Sequence, residues 1–248
     1  MYRKKILLCS IVLSFFLNGF LWRQNIVVSH GGYRITKDTK KDSAVVKMLQ
    51  IYTDSINKTM NTVIGFSTDG LVKKQPESGL GNYMTDAMKE MASQVFKMPV
   101  DAAFINYGGI RSYLPKGDIT VGKIFELMPF DNLIVLQKVR GDTLQSFLNH
   151  VAEKNGWPMS GITMNINGKK AINVFINGKP LDANTVYTIA NSDYIANGGD
   201  DVKQLKSIPQ INQGYLLRDA LIAYTKQQTE NGKSIDTKTE KRITYANE

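Results

Sequence analysis

A chain of 248 residues with 42% hydrophobic and 9% aromatic composition is long enough for one substantial domain or two small ones and too apolar to stay disordered. Its formal charge of +9 falls to about +5 beyond residue 26, because Arg3, Lys4, Lys5 and Arg23 precede that point and no acid does. The remaining basic residues, Lys37, Lys73 and Lys169 among them, are scattered among acids and turns rather than forming a stripe with interleaved aromatics, which argues against nucleic acid as a partner.

Residues 1–24 read as a signal peptide or signal anchor: a basic start is followed by an apolar run from Ile6 to Trp22. The protein is therefore expected to be exported, either released into the periplasm or anchored to the membrane facing it. No Ala-x-Ala site marks a cleavage point. Cys9, the single cysteine, lies within the apolar run behind Leu8, which does not suit lipidation and leaves the rest of the chain without a disulfide.

Residues 25–59 are expected to form a polar stem and a helix leading into the domain, with Val45, Val46, Leu49, Ile56 and Met60 at helical spacing and Ser43 able to cap them. From residue 60 to 248 we expect one domain. Thr62 to Ser67 reads as a strand and Glu77 to Phe96 as a long amphipathic helix. A short apolar strand, Asp101 to Asn106, runs into Gly108-Gly109. Thr120 to Leu127 reads as a helix, Leu133 to Val139 as a strand and Gly141 to Ala152 as a helix. Ile162 to Ile166 and Ala171 to Ile176 alternate around Asn167-Gly168 and Asn177-Gly178, a hairpin pattern. Val186 to Ala190 reads as a strand, Tyr215 to Lys226 as a helix and Arg242 to Tyr245 as a short closing strand. Without a strict βαβ rhythm the fold class is α+β, a single domain of mixed sheets covered by helices.

Three segments could carry chemistry. In Asn106-Tyr107-Gly108-Gly109-Ile110-Arg111 the glycines permit close backbone approach and Arg111 offers a planar donor to ribose or phosphate oxygens. A plain strand-to-loop turn would look the same. In Pro129-Phe130-Asp131-Asn132, Phe130 offers a flat face for a base and Asn132 both a donor and an acceptor, although a core ring and a turn residue fit as well. In Asn191 to Asp200, Tyr194 precedes Gly198-Gly199-Asp200 by a few residues, so that ring and carboxylate could serve base and ribose, or the stretch could be a structural loop.

Together with Leu80-Gly81-Asn82, Asp86-Ala87-Met88, Gly117-Asp118-Ile119-Thr120 and Gly141, these segments resemble the 5′-nucleotidase C-terminal domain family over roughly residues 60 to 245. The resemblance implies a domain that binds the nucleoside part of a nucleotide in a cleft facing a separate metallophosphoesterase domain. It also implies that Phe130 and Tyr194 sandwich the base, that Asp200 binds ribose, and that Asn106, Arg111 and Asn132 fix orientation. Two positions depart from the family pattern: Tyr194 stands where Phe is common, and Lys73-Lys74 stand where an arginine often enters the cleft. Lysine keeps the charge and loses the fork.

Family hydrolysis uses two metal ions held by histidines and aspartates in Asp-x-His and Gly-Asn-His-Asp patterns. The sequence has His30, in the stem, and His150, toward the end of a helix where a capping or surface role is expected, and neither pattern occurs. No catalytic residue and no cofactor is therefore assigned to this chain. Divalent metals are expected on a separately encoded metallophosphoesterase partner, which makes the chain the recognition half of a split 5′-nucleotidase. A stand-alone nucleoside-binding module and a degenerate interaction domain are the alternatives.

Overall fold

The computed structural model describes residues 28–246; the signal assignment over residues 1–24 and the reading of Cys9 lie outside them. The chain divides into two compact units, Met1–Met48 and Leu49–Glu248, with the division inside helix α1 (Ser43–Met60). In the first, residues 28–42 form no helix or strand. Asp42, not Ser43, caps α1: its carboxylate accepts from the N–H groups of Ala44 and Val45 at 2.8 and 3.1 Å. In the second, Leu49, Tyr52 and Ile56 are exposed, and Met60 packs partly on the core. No described helix is long and apolar enough to cross a membrane.

The second unit is built on a mixed five-stranded sheet of order β10-β4-β9-β2-β5, comprising β2 (Ala102–Phe104), β4 (Leu133–Arg140), β5 (Met159–Ser160), β9 (Val186–Ser192) and β10 (Gln210–Leu216). β2 and β9 run parallel, and the other pairs are antiparallel. Strand periodicity sends alternate residues to opposite faces. Ala103, Ile105, Ile134, Leu136 and Ala190 join one apolar cluster, while Ala102, Phe104, Val139 and Ile189 join another.

The first cluster is covered by α2 (Gly79–Phe96), α3 (Val121–Leu127) and α6 (Leu217–Glu230), and the second by α4 (Gly141–Glu153) and the single turn α5 (Asp193–Ala196) with a four-stranded sheet. That sheet has the order β11-β6-β7-β8 and contains β6 (Ile162–Asn167), β7 (Lys170–Ile176), β8 (Lys179–Pro180) and β11 (Ile243–Tyr245). A two-stranded sheet of β1 (Val63–Ser67) and β3 (Gly117–Thr120) completes the unit. This is the expected α+β architecture of mixed sheets and helices.

Local chemistry sets the element ends. Ser78 caps α2 by accepting from Gly81 N–H at 3.1 Å, and Thr120 caps α3 through Lys123 N–H. Asn177 and Gly178 both have positive φ, at 49° and 77°, as the twist-matched two-residue turn between β7 and β8 requires. The other Asn-Gly pair behaves differently, since Asn167 ends β6 and the turn falls on Gly168-Lys169. The helix expected from Tyr215 begins at Leu217, because Tyr215 and Leu216 belong to β10.

Tyr83 is fully buried in α2, with its hydroxyl 2.5 Å from Thr225 Oγ1 in α6, and burial pushes its phenol far above the ordinary value. Burial, then the charges of Asp86 and Glu90, push Tyr224 to about 12. An unfolded chain ionises these phenols near pH 10, while the folded one keeps their protons. Stability is therefore expected to hold below about pH 10 and to fall as pH rises from there toward the folded-state values. Urea midpoints measured across that range check this, and Tyr83→Phe is expected to flatten the decline.

Candidate functional site

Sheet topology explains why distant segments meet. β2 and β9 are parallel neighbours, paired Ala103 to Ala190, so their C-terminal ends lie on the same side. β4 is antiparallel to β9, with Ile134 opposite Ser192, so the start of β4 lies there too. The loops after β2, before β4 and after β9 consequently converge at one sheet end.

Between them is a cavity of about 350 Å³ lined by Asn106, Gly108, Gly109, Arg111, Phe130, Asn132, Tyr194 and Asp200. All six side chains singled out in the sequence line it. Phe130 and Tyr194 are 41% and 46% exposed, so neither ring is core. Arg111 faces Phe130, its guanidinium carbon 5.9 Å from the ring centroid. Gly198 and Gly199 do not line the cavity, and Gly199 lies against the Tyr194 ring. A Cβ at Gly199 would overlap the Tyr194 ring, so the absence of a side chain there lets the ring lie against the backbone.

Asp200 is the most heavily held residue of the site. It adopts the left-handed conformation at φ 51°, as Asp201 does at φ 64°. Its carboxylate accepts from Asn106 Nδ2 at 2.6 Å and from the Tyr194 hydroxyl at 2.9 Å. Its backbone N–H donates to the same hydroxyl at 3.2 Å. The hydrogen bond to Asp200 raises the Tyr194 phenol above its ordinary value.

Four further residues support these loops, and the motifs reveal neither His150 nor Arg218 among them. His150 does not cap its helix or stand free on the surface: its Nε2 lies 3.0 Å from the Asp200 carbonyl, and its ring meets Trp157 edge-on at 5.9 Å. His30 is exposed. Asp193 accepts from Leu133 N–H at 3.0 Å and thereby ties the start of β4 to the end of β9. Arg218 braces the Phe130 loop through Asp131 at 2.6 Å and the Phe130 carbonyl at 3.3 Å. Lys73 donates to the carbonyls of Ile110 and Tyr107 at 2.8 and 3.4 Å, with its ammonium over the Tyr107 ring. Its charge thus holds the Gly-Gly loop from behind, where an arginine fork would have been expected in the cleft.

The cavity suits a flat aromatic ligand with hydroxyl groups. Phe130 and Tyr194 supply π faces, Asp200 an acceptor, and Arg111, Asn106 and Asn132 donors. It does not suit a metal, because Asp200 is the one acid of the lining and no histidine joins it. Among the described residues, no three of the His, Cys, Asp or Glu side chains are grouped to hold an ion.

The chain is a member of the 5′-nucleotidase C-terminal domain family, described as "5'-nucleotidase, C-terminal domain", whose pattern matches residues 63–207. Protein UshA of Yersinia enterocolitica is 25% identical over 200 residues, covering 78% of this chain and 36% of the relative. The 5′-nucleotidase of Vibrio vulnificus is 27% identical over 198 residues, covering 75% and 35%. The crystal structure of the 5′-nucleotidase precursor from Thermus thermophilus superposes with a TM-score of 0.70 at 28% identity, over 83% of this chain and 43% of that one. The chain thus spans about a third of the length of these curated relatives.

Proposed function

We propose that this chain is the nucleoside-recognising half of an exported, split 5′-nucleotidase, with phosphate-ester hydrolysis performed at divalent metals on a separately encoded metallophosphoesterase. The carrying observation is the convergence of two exposed rings and an oriented carboxylate in one cavity within a 5′-nucleotidase C-terminal domain. The base inserts between Phe130 and Tyr194. The ribose hydroxyls meet Asp200, and Asn106, Arg111 and Asn132 fix the nucleotide's orientation. The phosphate then projects out of the cavity toward the partner. The partner's metals would orient the attacking water and stabilise the phosphoryl oxygens, while this chain contributes binding and position.

AMP hydrolysis tests the reading. The chain with divalent metal is expected to be inactive alone and to raise turnover when a candidate exported metallophosphoesterase is added. A mixture no faster than that enzyme by itself would refute the split-enzyme assignment. Adenosine binding without any such gain would instead identify a stand-alone nucleoside-binding module.

A further inference from the structure

Every polar atom of Asp200 has a protein partner: the backbone N–H and Oδ1 both meet the Tyr194 hydroxyl, Oδ2 meets Asn106 Nδ2, and the carbonyl meets His150 Nε2. A surface carboxylate ordinarily rotates among water contacts. This one belongs to a residue at φ 51°, in the left-handed region that aspartate enters more readily than most side chains, and its N–H, carbonyl and carboxylate are each fixed there. Two neutral donors orient the carboxylate, each leaving the oxygen it meets one lone-pair direction free. Two vicinal hydroxyl groups match that remaining pair of acceptors.

Resting on the nucleoside reading above, we infer that the Tyr194 hydroxyl is a positioning and specificity-determining group: it presets the Asp200 carboxylate as a fork for a cis-diol, so the preference for ribosyl over deoxyribosyl ligands resides in that hydroxyl. The ring and the hydroxyl of Tyr194 then have separable tasks. The ring, backed by Gly199, offers its face to a base whatever the sugar. The hydroxyl acts solely through Asp200. A phenylalanine here would keep the face, leave the Asp200 N–H without its acceptor and leave Asn106 as the one side-chain donor orienting the carboxylate.

The test is calorimetric titration of the full chain and of Tyr194→Phe with adenosine and with 2′,3′-dideoxyadenosine. Loss of a hydrogen bond to a charged group predicts that the ratio of the two affinities falls about tenfold in Tyr194→Phe. A ratio that stays put, whether or not both affinities fall, would show the hydroxyl to be merely structural and overturn the inference while leaving nucleoside recognition intact. Asp200→Asn supplies the second arm. In that background Tyr194→Phe is expected to leave the ratio unaltered, and a further tenfold drop would show that the hydroxyl acts elsewhere than through the carboxylate. Wild-type protein that binds neither ligand would overturn the nucleoside reading itself, and this inference with it.

Discussion

Adenosine binding is expected to weaken about 5- to 150-fold in each of Phe130→Ala and Tyr194→Ala, and to become undetectable in the double variant, because stacking a base on an aromatic face contributes about 1–3 kcal/mol. Both rings are nearly half exposed, so truncation removes ligand contact without opening a cavity in the core. The two variants are not equivalent. Tyr194→Ala also removes the hydroxyl that holds Asp200, so it is expected to cost more than Phe130→Ala for a ribonucleoside. Gly199→Ala offers a test that leaves every cavity-lining side chain chemically intact. Its new Cβ would lie within 2.6 Å of Tyr194 Cδ1, with the neighbouring ring carbons as close, and would push the ring off its seat. Calorimetry with adenosine, alongside circular dichroism to confirm folding, reads all of these. Phe130→Ala and Tyr194→Ala proteins that bind adenosine as tightly as wild type would place the nucleoside elsewhere.

How much of this site the sequence carried depends on whether each contact is local. The three loops were legible because each packs its functional groups into a short run beside paired glycines or a proline. Their convergence was not, since it follows from β4, β9 and β2 being neighbours with the right directions, a property of the sheet and of no single segment. The supporting residues escaped for the same reason. His150 and Asp200 are 50 residues apart and Arg218 and Asp131 are 87 apart, and nothing adjacent to either His150 or Arg218 announces the contact. Lys73 stands out in the sequence for the arginine it replaces, whereas the carbonyls its ammonium holds behind the loop lie 34 and 37 residues away.

The fold was legible to a similar depth. α2 declared itself through its apolar stripe, and β7 through its alternation. β10 did not, because Gln210, Asn212, Gln213 and Gly214 give an edge strand no apolar face to read. β3 was hidden by its brevity and by Asp118. The stripe on α1 is the opposite case: its spacing is helical and the helix exists, but Leu49, Tyr52 and Ile56 remain exposed, so periodicity alone did not establish burial.

The largest stability effect is expected at Arg242, just before the closing strand β11. Its guanidinium donates to both carboxylate oxygens of Asp86 at 2.8 Å, to Glu240 at 2.9 and 3.0 Å, and to the Met159 carbonyl at 3.0 Å. The side chain is 11% exposed, while Asp86 is 28% exposed. One residue thereby joins the C-terminal segment to α2 and to the edge strand β5, and Glu77 reinforces the join by accepting from the N–H groups of Glu240 and Arg242 at 2.7 and 3.0 Å. Arg242→Met leaves Asp86 largely buried without its counter-charge. Breaking a buried pair from one side costs about 3–5 kcal/mol, and the partial exposure of Asp86 points to about 3, a large share of the 5–15 kcal/mol that holds a typical domain together. Chemical denaturation should show this as a lower midpoint with an unchanged slope. Arg242→Lys is expected to restore little, since an ammonium cannot span both Asp86 oxygens and also reach Met159 and Glu240. The exposed pair Arg140 and Asp142, 54% and 50% accessible, supplies the contrast, and Arg140→Met should leave the midpoint where it was. If Arg242→Met were equally silent, the Arg242 side chain would contribute nothing to the fold, and the Glu77 contacts, the backbone ladder between β11 and β6 and the burial of Ile243 would suffice to hold the C-terminal segment.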